Sequence, residues 1–134
     1  MAAPSNSQIN VDLFVSFGDP GNDQIVLNIS ELTPISGNAI VQRALKLTAS
    51  QTNQSLNLAS ELSSVQAIVI KDVTASAVGG VLFGADSTGT KFEIAAGRAT
   101  VLRPKAGSTP PTLYFTNPSS TDDLYLEVIA LGSK

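Results

Sequence analysis

The feature that most constrains this chain is the apolar stretch of residues 65–72, near the middle of the sequence. Five of its first six residues are apolar and most of these are β-branched, which favours a strand over a helix. The two faces of that strand would carry Val65, Ala67 and Val69 on one side, and Gln66, Ile68 and Ile70 on the other. Both faces are apolar at the centre, so the strand is predicted to lie inside a sheet and to be covered on both sides.

Near the N-terminus, two alternating stretches enclose a dense turn signal. Residues 8–17 place apolar residues at every second position, and residues 24–32 repeat the pattern. Between them, residues 18–23 read Gly-Asp-Pro-Gly-Asn-Asp, in which Pro and Gly favour a chain reversal. The pattern predicts an antiparallel hairpin.

The rest of the chain consists of further short alternating stretches separated by Gly, Pro and Asn. We predict strands at residues 39–48, 55–58, 81–83, 91–94, 98–103, 112–116 and 124–131. Nine or ten short strands with frequent turn signals indicate an all-β antiparallel sandwich, and eight core strands with a Greek-key return would make it a jelly roll. Only residues 59–64 could hold a helical turn.

The sequence contains no amphipathic helix that could pack on the central strand, so its two faces must be covered in another way. A second sheet can cover one of its faces. For the face with Gln66, Ile68 and Ile70, either the sandwich curls over it or a neighbouring subunit covers it. The central strand is therefore an argument for the fold and, in the second case, for assembly.

The length of 134 residues corresponds to one domain. We predict an N-terminal arm at residues 1–7 and a single sandwich domain at residues 8–134. The arm carries neither basic residues nor an apolar run, so no signal peptide is expected. No window is long and apolar enough to span a membrane, and synthesis in a cytoplasm is expected.

The composition argues against several functions. The chain has no His and no Cys, so the commonest general base, the commonest metal ligand and the thiolate nucleophile are all missing. A formal net charge of −3 with 14% charged residues is unlike a nucleic-acid-binding protein. Its polarity comes from Ser, Thr, Asn and Gln, which are cheaper to bury against a partner than charges are.

Acidic turns are the only candidates for metal binding, and we expect no metal or other cofactor. They lie at residues 19–23, at Asp86 and at Asp122–Asp123. Their spacing matches no calcium-loop pattern, and Asp in turns usually accepts hydrogen bonds from its own backbone. Ser residues lack a base partner, and Asp12, Glu93 and Glu127 occupy ordinary solvent-facing positions. The chain is therefore predicted not to be an enzyme.

Four cations are the candidate partner-binding residues. Arg43 falls on the apolar face of its strand, where its stem can pack while its head reaches the rim, or where it can form an ion pair across an interface. Arg98, Arg103 and Lys105 form the only local basic cluster. They either solvate an exposed sheet edge or dock on an acidic surface of a partner protein.

From about residue 37 onward, the order of strands and turns resembles that of small structural proteins of tailed-bacteriophage particles. The pieces that carry the resemblance are residues 56–58, 65–72, 80–84, 96–98, 113–114 and 126–131. In that group a short Leu-x-Leu strand leads to a central apolar strand and a Gly-flanked short strand. An Ala-Gly turn before an Arg-bearing strand, a Leu-Tyr strand and a final Val/Ile-rich strand follow.

The resemblance implies a non-catalytic virion component, such as a capsid decoration (cement) protein or a neck or tail accessory protein. It implies binding to the major capsid protein or other virion proteins and assembly into homo-oligomers, with a trimer favoured. The alternative is a carbohydrate-binding sandwich that contacts the host surface. That alternative needs an exposed aromatic residue beside acids or amides, whereas most of the aromatic residues look like core residues.

Overall fold

A computed structural model describes residues 8–17, 25–34, 39–74, 80–105 and 107–134. Its strands are β1 (Gln8–Phe17), β2 (Ile25–Pro34), β3 (Ala39–Leu47), β4 (Gln54–Asn57), β5 (Ser64–Asp72), β6 (Val81–Gly84), β7 (Phe92–Ile94), β8 (Ala99–Leu102), β9 (Thr112–Thr116) and β10 (Leu124–Ser133). One 3-10 turn, Leu58–Ser60, lies between β4 and β5. The predicted all-β antiparallel class is confirmed. The predicted arm and the turn at residues 18–23 lie outside the described residues.

Strands β1 and β2 form a two-stranded antiparallel sheet of their own. Their register runs from Gln8 opposite Pro34 to Phe17 opposite Ile25, so the predicted hairpin is confirmed. Residues 4–36 form a compact unit distinct from the unit that contains residues 37–134.

The larger unit consists of two four-stranded antiparallel sheets that pack against each other as a β-sandwich. Sheet I has the strand order β3-β10-β5-β8, and sheet II has the order β4-β9-β6-β7. Strands β3 and β8 are thus the edges of sheet I, and β4 and β7 are the edges of sheet II. Among the described strands, each edge strand has a paired neighbour on one side only.

The space between the two sheets is filled by aliphatic side chains and two phenylalanines. Fully buried examples are Ile68 and Ile70 of β5, Leu126 of β10 and Phe115 of β9. Burial of side chains of this size contributes about 1.5–3 kcal/mol each, so the intersheet layer is the main source of stability.

The faces of β5 differ from the sequence prediction. Ile68 and Ile70 are completely buried in the intersheet core, whereas Val69 is half-buried on the outward face. Of the two covers left open for the face with Ile68 and Ile70, the structure shows the intramolecular one, because sheet II covers this face. The outward face is the one that begins with Ala67 and Val69.

A β-bulge explains why simple alternation misassigned Val65. The register pairs Ala67 with Leu131 and then Val65 with Gly132, so that it skips Gln66. A bulge of this kind shifts the following residues to the opposite face. As a result Val65 joins Ile68 in the core cluster, although the two residues are three positions apart.

Gly132 permits this bulge because the neighbouring backbone passes very close to it. A Cβ atom built on Gly132 would lie 2.0 Å from the carbonyl oxygen of Ser64 and 2.9 Å from the Cα atom of Val65. Only a residue without a side chain fits between the two strands at this point.

Candidate interaction surfaces

The four predicted partner-binding cations do not form one cluster. Arg43 lies on β3, and Arg98, Arg103 and Lys105 flank β8. Since β3 and β8 are opposite edges of the four-stranded sheet I, at least two intervening strands separate Arg43 from the other three cations. The two groups belong to different surfaces.

The Arg43 side chain forms an ion pair with Glu61 of its own chain. Its Nη1 atom also donates a hydrogen bond of 2.8 Å to the carbonyl oxygen of Gln42. The pair lies at a cavity of about 610 Å³ between β3 and the segment of residues 59–63, with Lys134 at its border. The pair links β3 of sheet I to the connection between β4 and β5.

Arg98, Arg103 and Lys105 border the opposite edge of sheet I. Arg98 comes directly before β8 and Arg103 directly after it, and all three residues are exposed. The backbone holds both ends of the strand, because the carbonyl oxygen of Arg98 accepts the Asp72 N–H at 2.9 Å and that of Lys105 accepts the Ser108 N–H at 3.0 Å. The cations therefore stand at both ends of a fixed edge strand.

Next to these cations, the sandwich opens into an apolar cleft, here called the edge cleft. It has a volume of about 380 Å³ and lies between the edge strands β7 and β8. Its apolar lining includes Phe83, Phe92, Leu102 and Leu113, and Glu93 and Thr100 supply polar groups. This size and this lining are typical of sites that accept an apolar group held by a few polar contacts.

Phe92 is the most unusual residue of the edge cleft. It is 60% exposed, although its ring centroid lies only 5.8 Å from that of the buried Phe83. Tyr125 on β10 is 46% exposed. The expectation that most aromatic residues are core residues fails for these two.

The outward face of sheet I carries an apolar patch, here called the outer patch. Its members are half-buried aliphatic side chains in two neighbouring rows: Ile40, Val69, Val101, Ile129 and Leu131. The register aligns Leu131 with Ile40, and aligns Val69 with both Ile129 and Val101. Contiguous apolar side chains on an outward face are typical of an interaction surface.

The two acidic turns among the described residues, at Asp86 and at Asp122–Asp123, are used by the chain's own hydrogen bonds and ion pairs. Asp86 accepts the backbone N–H groups of Gly89 and Thr88, which lower the pKa of its carboxyl group. Asp123 pairs with Lys46 at 3.1 Å, and this contact lowers the pKa of Asp123 and raises that of Lys46. Across the described residues, no group of three or more potential metal-ligating side chains occurs.

Two buried polar residues, Asn117 and Asp72, form hydrogen bonds with the backbone of their own chain. The Asn117 amide nitrogen donates to the carbonyl oxygens of Asp122, Thr48 and Leu47 at 2.7–3.2 Å, and so joins the β9–β10 connection to the end of β3. Asp72 is fully buried, and its Oδ1 atom accepts the Thr74 N–H at 2.9 Å. Its Oδ2 atom has no hydrogen-bond partner among the described residues.

In the part of the chain that the structure describes, no helix has the length and apolar character needed to cross a membrane. No family model matches the chain, and no curated protein is significantly similar to it. The functional interpretation therefore depends on the surfaces described above and on the resemblance in strand order.

Proposed function

We propose that the protein is a non-catalytic structural component of a bacteriophage particle, and specifically a capsid decoration protein. In this role it binds the outer shell formed by the major capsid protein and stabilises the shell by bridging neighbouring subunits. It is made in the host cytoplasm and resides in the virion. The observation that carries this proposal is the edge cleft, with its exposed Phe92 between two edge strands and cations at the ends of β8.

We also infer that the sandwich is a jelly roll. If β3 to β10 are counted as strands one to eight, the sheets have the orders 1-8-3-6 and 2-7-4-5. In these orders the first and last strands are neighbours, as the Greek-key return of a jelly roll requires. Jelly rolls occur in viral capsid proteins and also in lectins, so the fold supports the proposal without deciding it.

The edge cleft has the properties of a docking site for a protein surface. Phe92 offers a large apolar side chain that is already outside the core, and aromatic residues of this kind dominate the energetics of interfaces. Arg98 and Arg103 stand at the two ends of β8, where they can pair with acidic side chains of a shell subunit. The β8 edge also offers backbone groups for strand pairing.

A carbohydrate-binding function is the second candidate, and one observation favours it. Phe92 is exposed, and Phe92 and Glu93 both line the edge cleft. A sugar-binding site uses an aromatic ring that stacks on the sugar and a carboxylate that accepts hydrogen bonds from its hydroxyl groups, and the cleft has one residue of each kind.

A binding experiment with three variants separates the two candidates. Shells of the phage that encodes the chain, stripped of the protein, are titrated with wild type, Phe92→Ala, Arg103→Glu and Glu93→Gln. For a decoration protein, we expect Phe92→Ala and Arg103→Glu to weaken shell binding at least about tenfold, which corresponds to about 1.4 kcal/mol. Glu93→Gln should have little effect, and Ser55→Glu on the edge strand β4 serves as the control.

The opposite pattern would favour the second candidate. If wild type does not bind shells but binds a glycan array, and if Glu93→Gln and Phe92→Ala abolish glycan binding while Arg103→Glu does not, the protein is a carbohydrate-binding module. Shell binding that none of the three substitutions changes would show that the edge cleft is not the docking site.

A further inference from the structure

The register of β8 identifies the backbone groups that this strand directs to its open edge, beside the edge cleft. The carbonyl oxygen of Arg98 accepts the Asp72 N–H at 2.9 Å, so these residues form a hydrogen-bonded pair of the antiparallel ladder between β8 and β5. Such pairs alternate with pairs whose backbone groups point away from the partner strand. Thr100 therefore bonds to β5, whereas Ala99 and Val101 direct their N–H and C=O groups to the open edge.

The ladder on the other side of β5 supports this assignment independently. The Val73 N–H donates to the carbonyl oxygen of Tyr125 at 2.9 Å, so the odd-numbered residues in this part of β5 bond to β10 and the even-numbered ones bond to β8. Among the described residues, no hydrogen bond involves the backbone groups of Ala99 or Val101. An edge with such groups is a template for a further strand.

The edge cleft can receive the side chains of a strand that is added at this edge. Directly opposite residues of paired strands point to the same face of a sheet, so residues opposite Thr100 and Leu102 would point inward with them. Thr100 and Leu102 line the edge cleft, together with Phe92 and Leu113. An added strand would therefore place its inward side chains in the cleft and cover the exposed ring of Phe92.

The charges around β8 indicate which side chains the added strand carries. Arg98 precedes β8 and Lys105 follows it; both are exposed, and neither forms an ion pair with a described residue. Of the described residues, Glu93 is the acid that lines the edge cleft, and it disfavours a second acid inside it. A strand with apolar inward residues and an acid near each end would match this pattern, and such complementarity selects partner and register.

We propose that the docking partner binds by strand addition, in which an extended segment of the partner protein pairs with the open edge of β8 and extends the four-stranded sheet I. The backbone of the segment bonds to Ala99 and Val101. Its inward residues are apolar and fill the edge cleft, and acids at its ends pair with Arg98 and Lys105. The proposal rests on the proposed docking role of the edge cleft and adds the conformation and chemistry of the partner segment.

A short fluorescent peptide with blocked ends is the first probe, because it can be used without a shell. The peptide Glu-Leu-Thr-Leu-Thr-Glu alternates apolar and polar residues and has an acid at each end, as the proposal requires. We expect it to bind the full-length wild-type chain saturably in fluorescence anisotropy titrations. The peptide Lys-Leu-Thr-Leu-Thr-Lys should bind at least about tenfold more weakly, because its ends repel the cations beside β8.

Val101→Pro tests the contribution of the backbone. Proline removes the N–H that faces the open edge, and edge strands tolerate proline where the N–H points away from the sheet. We expect this variant to bind the acidic peptide at least about tenfold more weakly than wild type, and we expect Val101→Ala, which keeps the N–H, to lose less affinity. Ala99→Pro makes the same backbone change at the first position of β8, and circular dichroism reports whether each variant folds.

Ala44→Pro is the matched control on β3, the opposite edge of sheet I. Ala44 is exposed and lies opposite Glu127, which is itself opposite Lys71 in a hydrogen-bonded pair of the β10–β5 ladder. The N–H of Ala44 therefore points to the free side of β3, as that of Val101 points to the free side of β8. Ala44→Pro should leave peptide binding unchanged. Equal losses of affinity in Ala44→Pro and Val101→Pro would overturn the proposal.

Shells stripped of the protein separate failure of strand addition from failure of the decoration role. If they bind wild type, Val101→Pro and Ala99→Pro equally well, strand addition is overturned and the decoration role stands. If they do not bind wild type, but the acidic peptide binds with the expected dependence on Val101, the decoration role is overturned and strand addition is supported.

Two further outcomes would overturn strand addition by a partner protein. One is a wild-type chain that does not bind the acidic peptide. The other is a wild-type dimer, detected by light scattering, that Val101→Pro dissociates and the acidic peptide does not, because a second copy of the chain would then occupy the β8 edge.

Discussion

The two faces of sheet I are built from the same strands and differ in burial. On the inward face, Ile68 and Ile70 of β5 are completely buried against sheet II. On the outward face, Val69 of the same strand is half-buried, together with Ile129 and Val101 on the neighbouring strands. Both faces are apolar, yet only the inward face has a layer of its own chain packed on it within the sandwich.

This difference shows that an apolar face of a strand need not be part of the core. The inward face stabilises the fold, and substitutions there should cost stability. The outward face and the open edge between β7 and β8 should tolerate substitution in the isolated chain and affect association instead. The predictions below test this separation, beginning with the largest expected effect and ending with the smallest.

The largest effect is expected from a charge placed on the inward face of β5. Ile68→Asp would put a carboxylate between two apolar layers, so we expect no folded protein. Val69→Asp is the matched control one residue away, and it should fold with a stability loss of about 1 kcal/mol. Circular dichroism and urea unfolding of the two variants provide the measurement. A folded Ile68→Asp chain would show that the inward face is open.

The bulge that places Val65 in the core is tested at Gly132. Gly132→Ala should destabilise the fold by about 3 kcal/mol, because the new Cβ atom would collide with the Ser64 carbonyl oxygen and force the strands apart. Ser133→Ala, at the next position, should change the free energy of unfolding by less than about 0.5 kcal/mol. Equal stability of both variants in urea unfolding would contradict the close approach.

Loss of a buried polar contact should destabilise the fold, as substitutions on the inward face do. Asn117→Ala removes the amide that serves three carbonyl oxygens, and we expect a loss of about 2–3 kcal/mol in the free energy of unfolding. Ser120→Ala in the same connection is exposed and serves as the control. Thermal unfolding of both variants is the measurement, and a stable Asn117→Ala chain would argue against the network.

Phe83 and Phe92 are in contact at the edge cleft, and they allow a direct comparison of a buried and an exposed aromatic residue. Phe83→Ala should cost about 3–5 kcal/mol, because the ring is buried, whereas Phe92→Ala should cost less than about 1 kcal/mol. Chemical denaturation measures both. If Phe92→Ala proves as destabilising as Phe83→Ala, Phe92 is a core residue and not a docking residue.

The smallest effect concerns the pH dependence of an exposed turn. The backbone N–H groups of Gly89 and Thr88 lower the pKa of Asp86 below its unfolded value of about 3.9. Asp86 therefore stabilises the fold above that value, and the contribution is lost as the pH falls through the lower pKa of the folded state. Asp86→Asn should be slightly less stable than wild type at pH 7, and the difference should shrink at pH 2.5. A difference that does not change with pH would exclude this linkage.

Much of the fold could be predicted from periodicity alone. The period of two in residues 8–17 and 124–131, and the Gly and Pro residues between the strands, determine where most strands begin and end. The bulge at Gln66 could not be predicted in this way, because it depends on how Gly132 of a distant strand approaches β5. One skipped residue then reversed the assignment of Val65.

The candidate surfaces were less accessible to sequence reasoning. The residues around Phe92 alternate Lys-Phe-Glu-Ile, which predicts a half-buried strand but not that this strand lies at an open edge. The separation of Arg43 from Arg98, Arg103 and Lys105 follows from the strand order, and the ion pair of Arg43 with Glu61 follows from the path of the connection between β4 and β5. Neither has a local sequence signal.

The proposed decoration role is tested most directly by the copy number of the chain in purified phage particles. Quantitative mass spectrometry can compare its abundance with that of the major capsid protein in the same particles. We expect a copy number close to that of the major capsid protein. A few copies per particle would contradict the decoration role and indicate a neck or tail protein, and absence from the particles would contradict a structural role in the virion altogether.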